Sequence, residues 1–512
     1  MEAADKIKKL RKATPTLELP SVTQLPESTN CLACSEDGRY LCLGHCRGLS
    51  VWSASSLTCV SEWLQDRLEI TSVQMTRIAE MTYLLGTVDD MGVARVFAHH
   101  SDVIHLFGVI NIMEDVNKRS ICLTFELHEG GHYGAASVSC NGAAWLEVYH
   151  FPSAAWLEEL ERASSQKQDP NSSGEVDVKW SPVAVMIKIK PPKILAGRPL
   201  DGPPEVSQTT DYLAHCVALD VIMNSSRQWQ KTSFNVEPMP DVLWPHAKEI
   251  LCSAVSRCTR YIALGLDDAL VCVWDRLSGA PLAVVLVPAE NSAFIRMQFT
   301  DYWSVCADDS EIFTAEKVHL LLLCKSGEIH TVTTGRGTQS CTTQLTERPE
   351  DSRDFPSVIT SVPFLQGLSL VVKRNGKMFL QDVINKTTVC FLTPPTTHLV
   401  STPCSPVYAL NAKLQTLFIR GDQDTSCSAS SEDSSQSQLF IFRFRESGIT
   451  KQFVISHPDS PQQQKTLSYD TLEETCNVYL QQRALSVAER TRDIMKTWER
   501  LQETAVTLQQ RQ

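Results

Sequence analysis

The feature that most constrains the fold is a short pattern that occurs twice, far apart in the chain. Residues 35–44 read Ser-Glu-Asp-Gly-Arg-Tyr-Leu-Cys-Leu-Gly and are followed by Val51-Trp52. Residues 260–265 read Arg-Tyr-Ile-Ala-Leu-Gly, and after the turn pair Asp267-Asp268 the chain continues with Val-Cys-Val-Trp-Asp at 271–275. Short apolar runs separated by polar turns are typical of β-strands joined by hairpins. The pattern therefore predicts repeated groups of antiparallel strands.

The second copy resembles a WD repeat. His246 falls at the Gly-His position of that family, Asp268 at the turn aspartate, and Trp274-Asp275 at the signature pair. In the family, these residue types join a strand Ser or Thr in a buried hydrogen-bonded network, but Leu264 stands at that position here. The resemblance thus implies a degenerate WD blade. Its expected structural residues, with the equivalent tryptophan of the first copy, are His246, Asp268, Trp274, Asp275 and Trp52.

The resemblance implies an all-β fold, a single WD-type β-propeller of degenerate blades. Candidate strand groups begin near residues 31, 70, 121, 183, 246, 318, 368 and 407. The fourth group is drawn from residues 183–189 and 212–222. Seven blades are favoured over eight because the segments near 121 and 183 can belong to merged or incomplete blades. We also expect the strand from Leu17 to Leu25 to complete the last blade, since pairing of the two termini removes exposed sheet edges.

Changes in composition predict the domain boundaries. Residues 1–16 form a basic tail, residues 17–455 the propeller, residues 456–470 a linker and residues 471–512 a long C-terminal α-helix. Segments rich in Ser, Pro, Gly and acidic residues are typical of disordered insertions. They are expected near 161–176, 191–210 and 422–437.

The C-terminal segment carries a regular apolar seam. From residue 471 it contains no proline or glycine, and apolar residues recur at alternating spacings of four and three. This is the a/d pattern of a coiled coil. Its members, of which only Thr491 is polar, are Leu480, Ala484, Val487, Thr491, Ile494, Trp498, Leu501, Ala505 and Leu508.

A helix with one apolar face must bury it, so this segment is the expected partner-binding element. The period favours pairing with another chain, and the alternative is a helix docked on the last blade. Calmodulin, or a complex that contains it, is a further candidate partner. It is less favoured because calmodulin-binding helices are usually more basic than this one.

One string resembles the zinc site of a metalloprotease: His128-Glu129-Gly130-Gly131-His132. That site requires both histidines on one face of a helix, with the glutamate beside the bound water. Two adjacent glycines disfavour a helix by roughly 2 kcal/mol relative to alanine. We therefore expect a turn without catalytic function.

A cysteine-rich segment of the first repeat invites a zinc interpretation. It contains Cys31, Cys34, Cys42, His45 and Cys46. Residues four apart on one strand lie about 13 Å apart, too far to share a metal ion, so packing in the blade is favoured. No phosphate-binding loop, nucleophile elbow or iron–sulfur spacing is present in the sequence. We therefore expect no catalytic, cofactor-binding or metal-binding residues.

Charge and composition narrow the classes of partner. The net charge of −12 argues against a nucleic-acid binder, which needs a basic stripe. No apolar run reaches the about 18 residues of a membrane span. The start of the chain lacks a secretory signal, so the 18 cysteines are expected to be reduced thiols in the cytoplasm. Other proteins are the expected partners, rather than membranes or small-molecule substrates.

The start at Met1 to Leu10, the pattern at 34–40, the long loops and the helical end resemble a ciliary member of the WD-repeat family. This resemblance implies a structural component of the central-pair apparatus of motile cilia and sperm flagella, with subunits of a central-pair projection as partners. A cytosolic adaptor outside cilia is the main alternative, and a metal-dependent or electron-transfer enzyme is the second. We expect a non-catalytic scaffold, because the chemistry of an enzyme is not apparent in the sequence.

Overall fold

We used a computed structural model of the chain. The residues that it describes are 14–18, 21–26, 28–111, 120–140, 143–167, 179–189, 250–256, 261–266, 269–275, 280–288, 293–300, 317–335, 340–395, 398–423 and 437–455. The C-terminal helix expected at 471–512, the linker before it, the basic tail up to residue 13 and the insertion at 191–210 lie outside these residues. So does the segment 212–222 that was assigned to the fourth blade.

The described residues form an all-β, seven-bladed propeller, which confirms the predicted fold class and the preference for seven blades. In blades 1 to 5 the neighbouring strands follow one another in sequence, whereas blades 6 and 7 each also contain an N-terminal strand. The chain divides into two compact units, and each is considered by itself. The first unit contains blades 1, 6 and 7 and almost all of blade 2, and the second contains blades 3, 4 and 5.

In the first unit, blades 1 and 2 come from consecutive hairpins. Blade 1 consists of β3 (Cys31–Cys34), β4 (Tyr40–His45), β5 (Gly48–Ser53) and β6 (Cys59–Leu64). Blade 2 consists of β7 (Ile70–Ala79), β8 (Thr82–Asp89), β9 (Ala94–His100) and β10 (Val103–Val109). Both blades agree with the strand groups predicted to begin near residues 31 and 70.

Blades 6 and 7 of the first unit each gain an N-terminal strand. Blade 6 consists of β23 (Pro356–Ser361), β24 (Leu368–Lys373), β25 (Met378–Asp382), β26 (Thr387–Thr393) and β1 (Thr16–Glu18). Blade 7 consists of β27 (His398–Val400), β28 (Tyr408–Asn411), β29 (Thr416–Gln423), β30 (Ser437–Arg443) and β2 (Ser21–Gln24). Short 3-10 helices lie at Ser352–Asp354 and Lys451–Phe453.

The pairing of β2 confirms that an N-terminal strand completes the last blade. It lies antiparallel to β30, with Ser21 opposite Ile441 and Gln24 opposite Gln438. Leu25, which follows β2, is buried in the cluster that also holds residues of β4, β29 and β30. The strand β1 was not predicted separately. It extends blade 6 by parallel pairing with β26.

In the second unit, blade 3 shows why the sequence offered eight groups for seven blades. Its strands are β11 (Ile121–Leu127), β12 (Tyr133–Cys140), β13 (Ala143–His150) and β14 (Ala184–Ile189). The assignment of 183–189 to a separate fourth blade is therefore wrong, because β14 pairs with β13 as the outer strand of blade 3. The prediction of seven blades rather than eight depended on this possibility, that the segments near 121 and 183 belong to one blade.

The helix α1 (Ser153–Lys167) separates β13 from β14. Residues 161–167 were assigned to a disordered insertion, and this boundary is wrong. Trp156, Leu160 and Ala163 follow helical spacing and are buried. The Trp156 indole Nε1 donates to the Ser181 carbonyl at 2.7 Å. These contacts stabilise a helix in a stretch whose Ser-rich composition suggested none.

Blades 4 and 5 complete the second unit. Blade 4 consists of β15 (Ile250–Val255), β16 (Tyr261–Leu266), β17 (Leu270–Asp275) and β18 (Ala280–Leu286). Blade 5 consists of β19 (Phe294–Phe299), β20 (Lys317–Cys324), β21 (Ile329–Gly335) and β22 (Cys341–Thr346). Alternating strand residues of these two blades form one buried apolar cluster, as the period of two in a strand requires. Within the described residues, no helix is long and apolar enough to cross a membrane.

Candidate functional site

The pattern at 34–40 forms the hairpin between β3 and β4. Asp37 lies at its tip, where its carboxylate accepts from the Ser35 hydroxyl at 2.7 Å and from the Arg39 backbone N–H at 3.2 Å. The Ser35 hydroxyl oxygen also accepts from the Tyr40 backbone N–H at 2.9 Å. Side chains that bond to nearby backbone groups in this way fix a turn. The polar residues of the pattern therefore hold the hairpin in one conformation.

The same hairpin bonds to blade 2. The Tyr83 hydroxyl on β8 donates to the second Asp37 carboxylate oxygen at 2.5 Å. The Thr76 hydroxyl on β7 donates to the Glu36 carboxylate at 2.8 Å. The Tyr40 ring packs edge-on against the Tyr83 ring, with centroids 5.2 Å apart. Two hydrogen bonds and one aromatic contact thus join blades 1 and 2 at this end of the sheets.

The hairpin also bonds to blade 7. The Asn411 side-chain amide donates to the Gly38 carbonyl at 3.0 Å. Gly38 has φ +72°, and a Cβ atom there would lie 2.6 Å from both the Asn411 side-chain oxygen and Lys413 Cβ. Only glycine fits this conformation and this spacing. Residues 35–40 therefore connect three blades of the first unit, and we call them the hairpin clamp.

The electrostatics of the hairpin clamp follow from these contacts. Partial burial by itself would raise the pKa of the Asp37 carboxyl, but the hydrogen bonds from Tyr83, Ser35 and the Arg39 N–H outweigh it and lower the pKa. Burial, followed by the bond to the Asp37 carboxylate, raises the pKa of the Tyr83 hydroxyl. Each shift favours an ionised aspartate beside a neutral tyrosine, which is the arrangement that makes the bond.

The tryptophans that were expected to be structural lie on the third strand of their blades. Trp274 on β17 is partly buried against Leu264, Leu270 and Cys272 of its own blade. The expectation that it is buried between blades is therefore wrong among the described residues, because its face of the sheet forms a separate apolar cluster. The backbone of Asp275 ends β17. His246 and Asp268 lie outside the described residues, so the network expected around them stays a prediction.

The indole N–H groups find partners that the sequence reading missed. The Trp52 indole donates to the Ser50 hydroxyl at 3.0 Å, and the Trp145 indole donates to the Glu147 carboxylate at 2.7 Å. In both cases the partner is two residues away on the same strand, and such residues share one face of a sheet. Burial raises the pKa of the Cys272 thiol to about 12. The spacing of two was visible in the sequence and could have found these pairs.

The string at 128–132 forms a turn between β11 and β12. Gly130 and Gly131 have φ of +86° and +67°, and the Gly131 N–H donates to the His128 carbonyl at 2.9 Å. The His132 ring shares a hydrogen bond of 2.8 Å with the Ser153 hydroxyl at the start of α1. This geometry differs from the helix that a metalloprotease site needs. The turn instead connects the hairpin to the helix.

The cysteine-rich segment of blade 1 does not gather its ligand atoms. Among the described residues, its members do not bring three such atoms within 4.8 Å of one another. Cys42 is buried, and burial raises the pKa of Cys31 and of Cys34 to about 12. Protonated thiols on a strand act as small apolar side chains. This agrees with the packing interpretation.

A different group of residues does bring three ligand atoms within 4.8 Å of one another. It consists of Cys324, Glu328 and His330 of blade 5. The sequence analysis missed it, because Cys-x3-Glu-x-His is not a familiar ligand spacing. The signal that could have found it is the Ser326-Gly327 turn. A hairpin at this turn places the three residues on one face.

An open groove of about 850 Å³ lies beside the outer edge of blade 6. Its lining includes Pro15, Asp382, Val389 and Phe453. The Asp382 carboxylate already accepts from two backbone N–H groups and from the Asn385 amide. A carboxylate occupied in this way stabilises its turn.

The expected partner-binding residues of the C-terminal seam lie outside the described residues. They are Leu480, Ala484, Val487, Ile494, Trp498, Leu501 and Leu508. Their role therefore stays a prediction.

Comparisons with known proteins find one similar family model and two similar solved β-propeller structures. The family model described as WD repeat-containing protein 93 matches residues 29–236 and 227–271. Among solved structures, the β-propeller domain of Cps50 (Swd1) from Myceliophteria thermophila has 9% identity and a TM-score of 0.43, covering 82% of this chain and 98% of that one. Raptor from Chaetomium thermophilum has 9% identity and a TM-score of 0.41, covering 83% of this chain and 28% of that one. On its repeat pattern, its seven blades and the match over residues 29–271, the chain resembles WD-repeat β-propellers and, among them, WD repeat-containing protein 93.

Proposed function

We propose that the protein is a non-catalytic scaffold or adaptor that holds a multiprotein assembly together. The observation that carries this proposal is the hairpin clamp. The Asp37 and Glu36 carboxylates of the clamp are polar groups that an enzyme could use, but here Asp37 accepts from Ser35 and Tyr83, and Glu36 accepts from Thr76. A propeller stiffened by such bonds presents rigid loops and grooves to partners, which suits the general role of WD-repeat proteins.

The proposed assembly is the central-pair apparatus of motile cilia and sperm flagella, with subunits of a central-pair projection as partners. This step is supported by the resemblance to WD repeat-containing protein 93. The alternative is a cytosolic adaptor that acts outside cilia. Localisation of the tagged full chain in ciliated cells distinguishes the two. Signal along the axoneme, retained after detergent removes the membrane, supports the central-pair role, and signal confined to the detergent-soluble fraction contradicts it.

The proposed partner-binding element is the C-terminal segment with the heptad seam. A helix of about 40 residues would be about 60 Å long, and its apolar seam needs a second surface. The charged residues that flank the seam have both signs, as in coiled coils where they set the choice of partner. The alternative is that the helix packs on the last blade and stabilises the propeller.

The test replaces Leu480, Val487, Ile494 and Leu501 with serine in the full chain. The matched control replaces Gln482, Glu489, Lys496 and Glu503 with serine as well. These four residues repeat every seven positions on the side of the heptad opposite the seam. We expect the seam variant to lose the proteins that co-purify from ciliated tissue, while its melting temperature equals that of the control. If the partners still co-purify and the propeller melts earlier, the helix is an intramolecular support and this proposal is wrong.

A further inference from the structure

The hairpin between β20 and β21 in blade 5 places three ligand-type side chains on one face of the sheet. Cys324 ends β20, Glu328 precedes β21, and His330 is the second residue of β21. The Cys324 N–H donates to the Glu328 carbonyl at 3.0 Å, and Leu322 lies opposite His330. Opposite residues, and residues two apart, share a face of a sheet. The register therefore brings the three side chains together.

The distances suit a shared metal ion. One ligand atom from each of the three residues lies within 4.8 Å of the other two. In a tetrahedral zinc site, with Zn–S near 2.3 Å and Zn–N and Zn–O near 2.0–2.1 Å, ligand atoms stand roughly 3.3–3.6 Å apart. Small side-chain rotations would close this difference. The Ser326 hydroxyl donates to Glu328 at 3.3 Å and already orients the carboxylate.

His330 supplies an independent indication of a ligand. Its side chain is 0% exposed, and neither ring nitrogen makes a hydrogen bond to a described residue. Its Nε2 atom lies 3.5 Å from the Glu328 carboxylate, so a histidine–glutamate pair alone would leave Nδ1 without a partner. A buried polar group without a partner costs about 1–3 kcal/mol. A metal ion bound to this ring would remove that cost.

We propose that Cys324, Glu328 and His330 bind a zinc ion. Sulfur, imidazole and carboxylate donors are the set that Zn²⁺ prefers, and a water molecule would complete the tetrahedral coordination. The Cys324 thiol releases its proton to solvent as the Zn–S bond forms. The ion would hold the ends of β20 and β21 together at their hairpin.

The test measures zinc in the purified full chain by elemental analysis, then removes the metal and restores it as Zn²⁺ or Co²⁺. We expect one zinc per chain, and in the cobalt form a sulfur-to-cobalt charge-transfer band. Glu328→Gln should fold normally, because this side chain is partly exposed, and should weaken zinc binding at least about tenfold. Cys324→Ser should remove the charge-transfer band, because Cys324 is the sulfur ligand of the proposed site.

The matched control is Cys341→Ser, an exposed cysteine of the same blade, which should keep the zinc and the cobalt spectrum. The proposal is wrong if the purified chain holds no zinc and none binds to the metal-free chain. It is also wrong if Glu328→Gln and Cys324→Ser retain the zinc with unchanged affinity, because the ion would then be bound elsewhere.

Discussion

The Tyr83–Asp37 bond of the hairpin clamp can be tested by Tyr83→Phe, which removes one hydroxyl and keeps the ring. The hydroxyl donates to an ionised carboxylate at 2.5 Å, and Tyr83 is fully buried while the Asp37 side chain is 14% exposed. Hydrogen bonds to charged groups contribute about 1.5–3 kcal/mol. Water can replace part of the lost bond at this exposure. We therefore expect the free energy of unfolding to fall by about 1–2 kcal/mol.

A double-mutant cycle isolates the bond from other effects. Asp37→Asn keeps the shape of the side chain but loses the charge, and with it the pair to Arg39 at 3.6 Å. The Arg39 side chain is 54% exposed, so that ion pair contributes little. The Tyr83→Phe and Asp37→Asn changes should not add. We expect a coupling energy of about 1 kcal/mol between them.

The pH dependence of the same bond has a definite sign. The pKa of Asp37 is lowered in the folded state, so its contribution to stability is present above its unfolded pKa and is lost as the pH falls through the folded one. The pKa of Tyr83 is raised, so its contribution is present below its unfolded pKa and is lost as the pH rises through the folded one. The bond therefore stabilises the protein most between these limits. Tyr83→Phe should flatten the stability profile at both ends.

The assay is urea unfolding of the full chain, followed by tryptophan fluorescence at several pH values. The matched control is Tyr408→Phe, whose hydroxyl makes no hydrogen bond to a described residue and whose loss should change stability by less than about 0.5 kcal/mol. If Tyr83→Phe is no more destabilising than Tyr408→Phe, or if the two changes in the cycle add, the hairpin clamp does not stabilise the blades as argued.

Three further predictions concern burial and packing. Burial lowers the pKa of His99 to about 4 despite the nearby Asp102 carboxylate, so the free energy of unfolding should fall by up to about 3 kcal/mol as the pH drops from 6.5 to 4. In urea titrations at several pH values, His99→Phe should remove this pH dependence. Gly421→Ala should cost about 1–3 kcal/mol, because its Cβ would overlap the Phe440 ring, whereas Gly108→Ala meets no atom within 4 Å and should melt like the wild type. Trp274→Ala should cost about 2–3 kcal/mol in urea, less than the about 3–5 expected for the fully buried Trp156→Ala; equal losses would show that the burial of Trp274 is wrongly assigned.

The blades could be predicted where local sequence carries all the information. Tyr261 to Leu266 and Leu270 to Asp275 form the expected hairpin strands of blade 4. The fourth strand of blade 3 could not be assigned in the same way. Helix α1 and residues 168–183 separate β14 from β13, so the spacing that marks a blade is interrupted. β14 pairs with a strand that is distant in sequence. The alternation of apolar and polar residues within a strand does not indicate which other strand it pairs with.

The hairpin clamp shows the same division at the level of single residues. The turn formed by Ser35, Asp37 and Gly38 is local, and the polar residues with glycine predict it. Its partners Tyr83 and Asn411 are remote in the chain, and nothing in the composition of their strands marks them. A sequence can therefore show which residues of a repeat form a turn without showing which distant residues that turn contacts.

The pairing of Trp52 with Ser50 shows how a degenerate WD repeat can provide an acceptor for a partly buried indole. Leu264 stands where the family has a hydroxyl, which would leave an indole N–H without its usual partner. In blade 1, Ser50 accepts from Trp52 two residues away on the same strand. That pairing requires only one strand and its alternation, so it survives when the neighbouring strand diverges. A repeat that lacks the network between strands can therefore still offer its indole N–H an acceptor on the same strand, as blade 1 does.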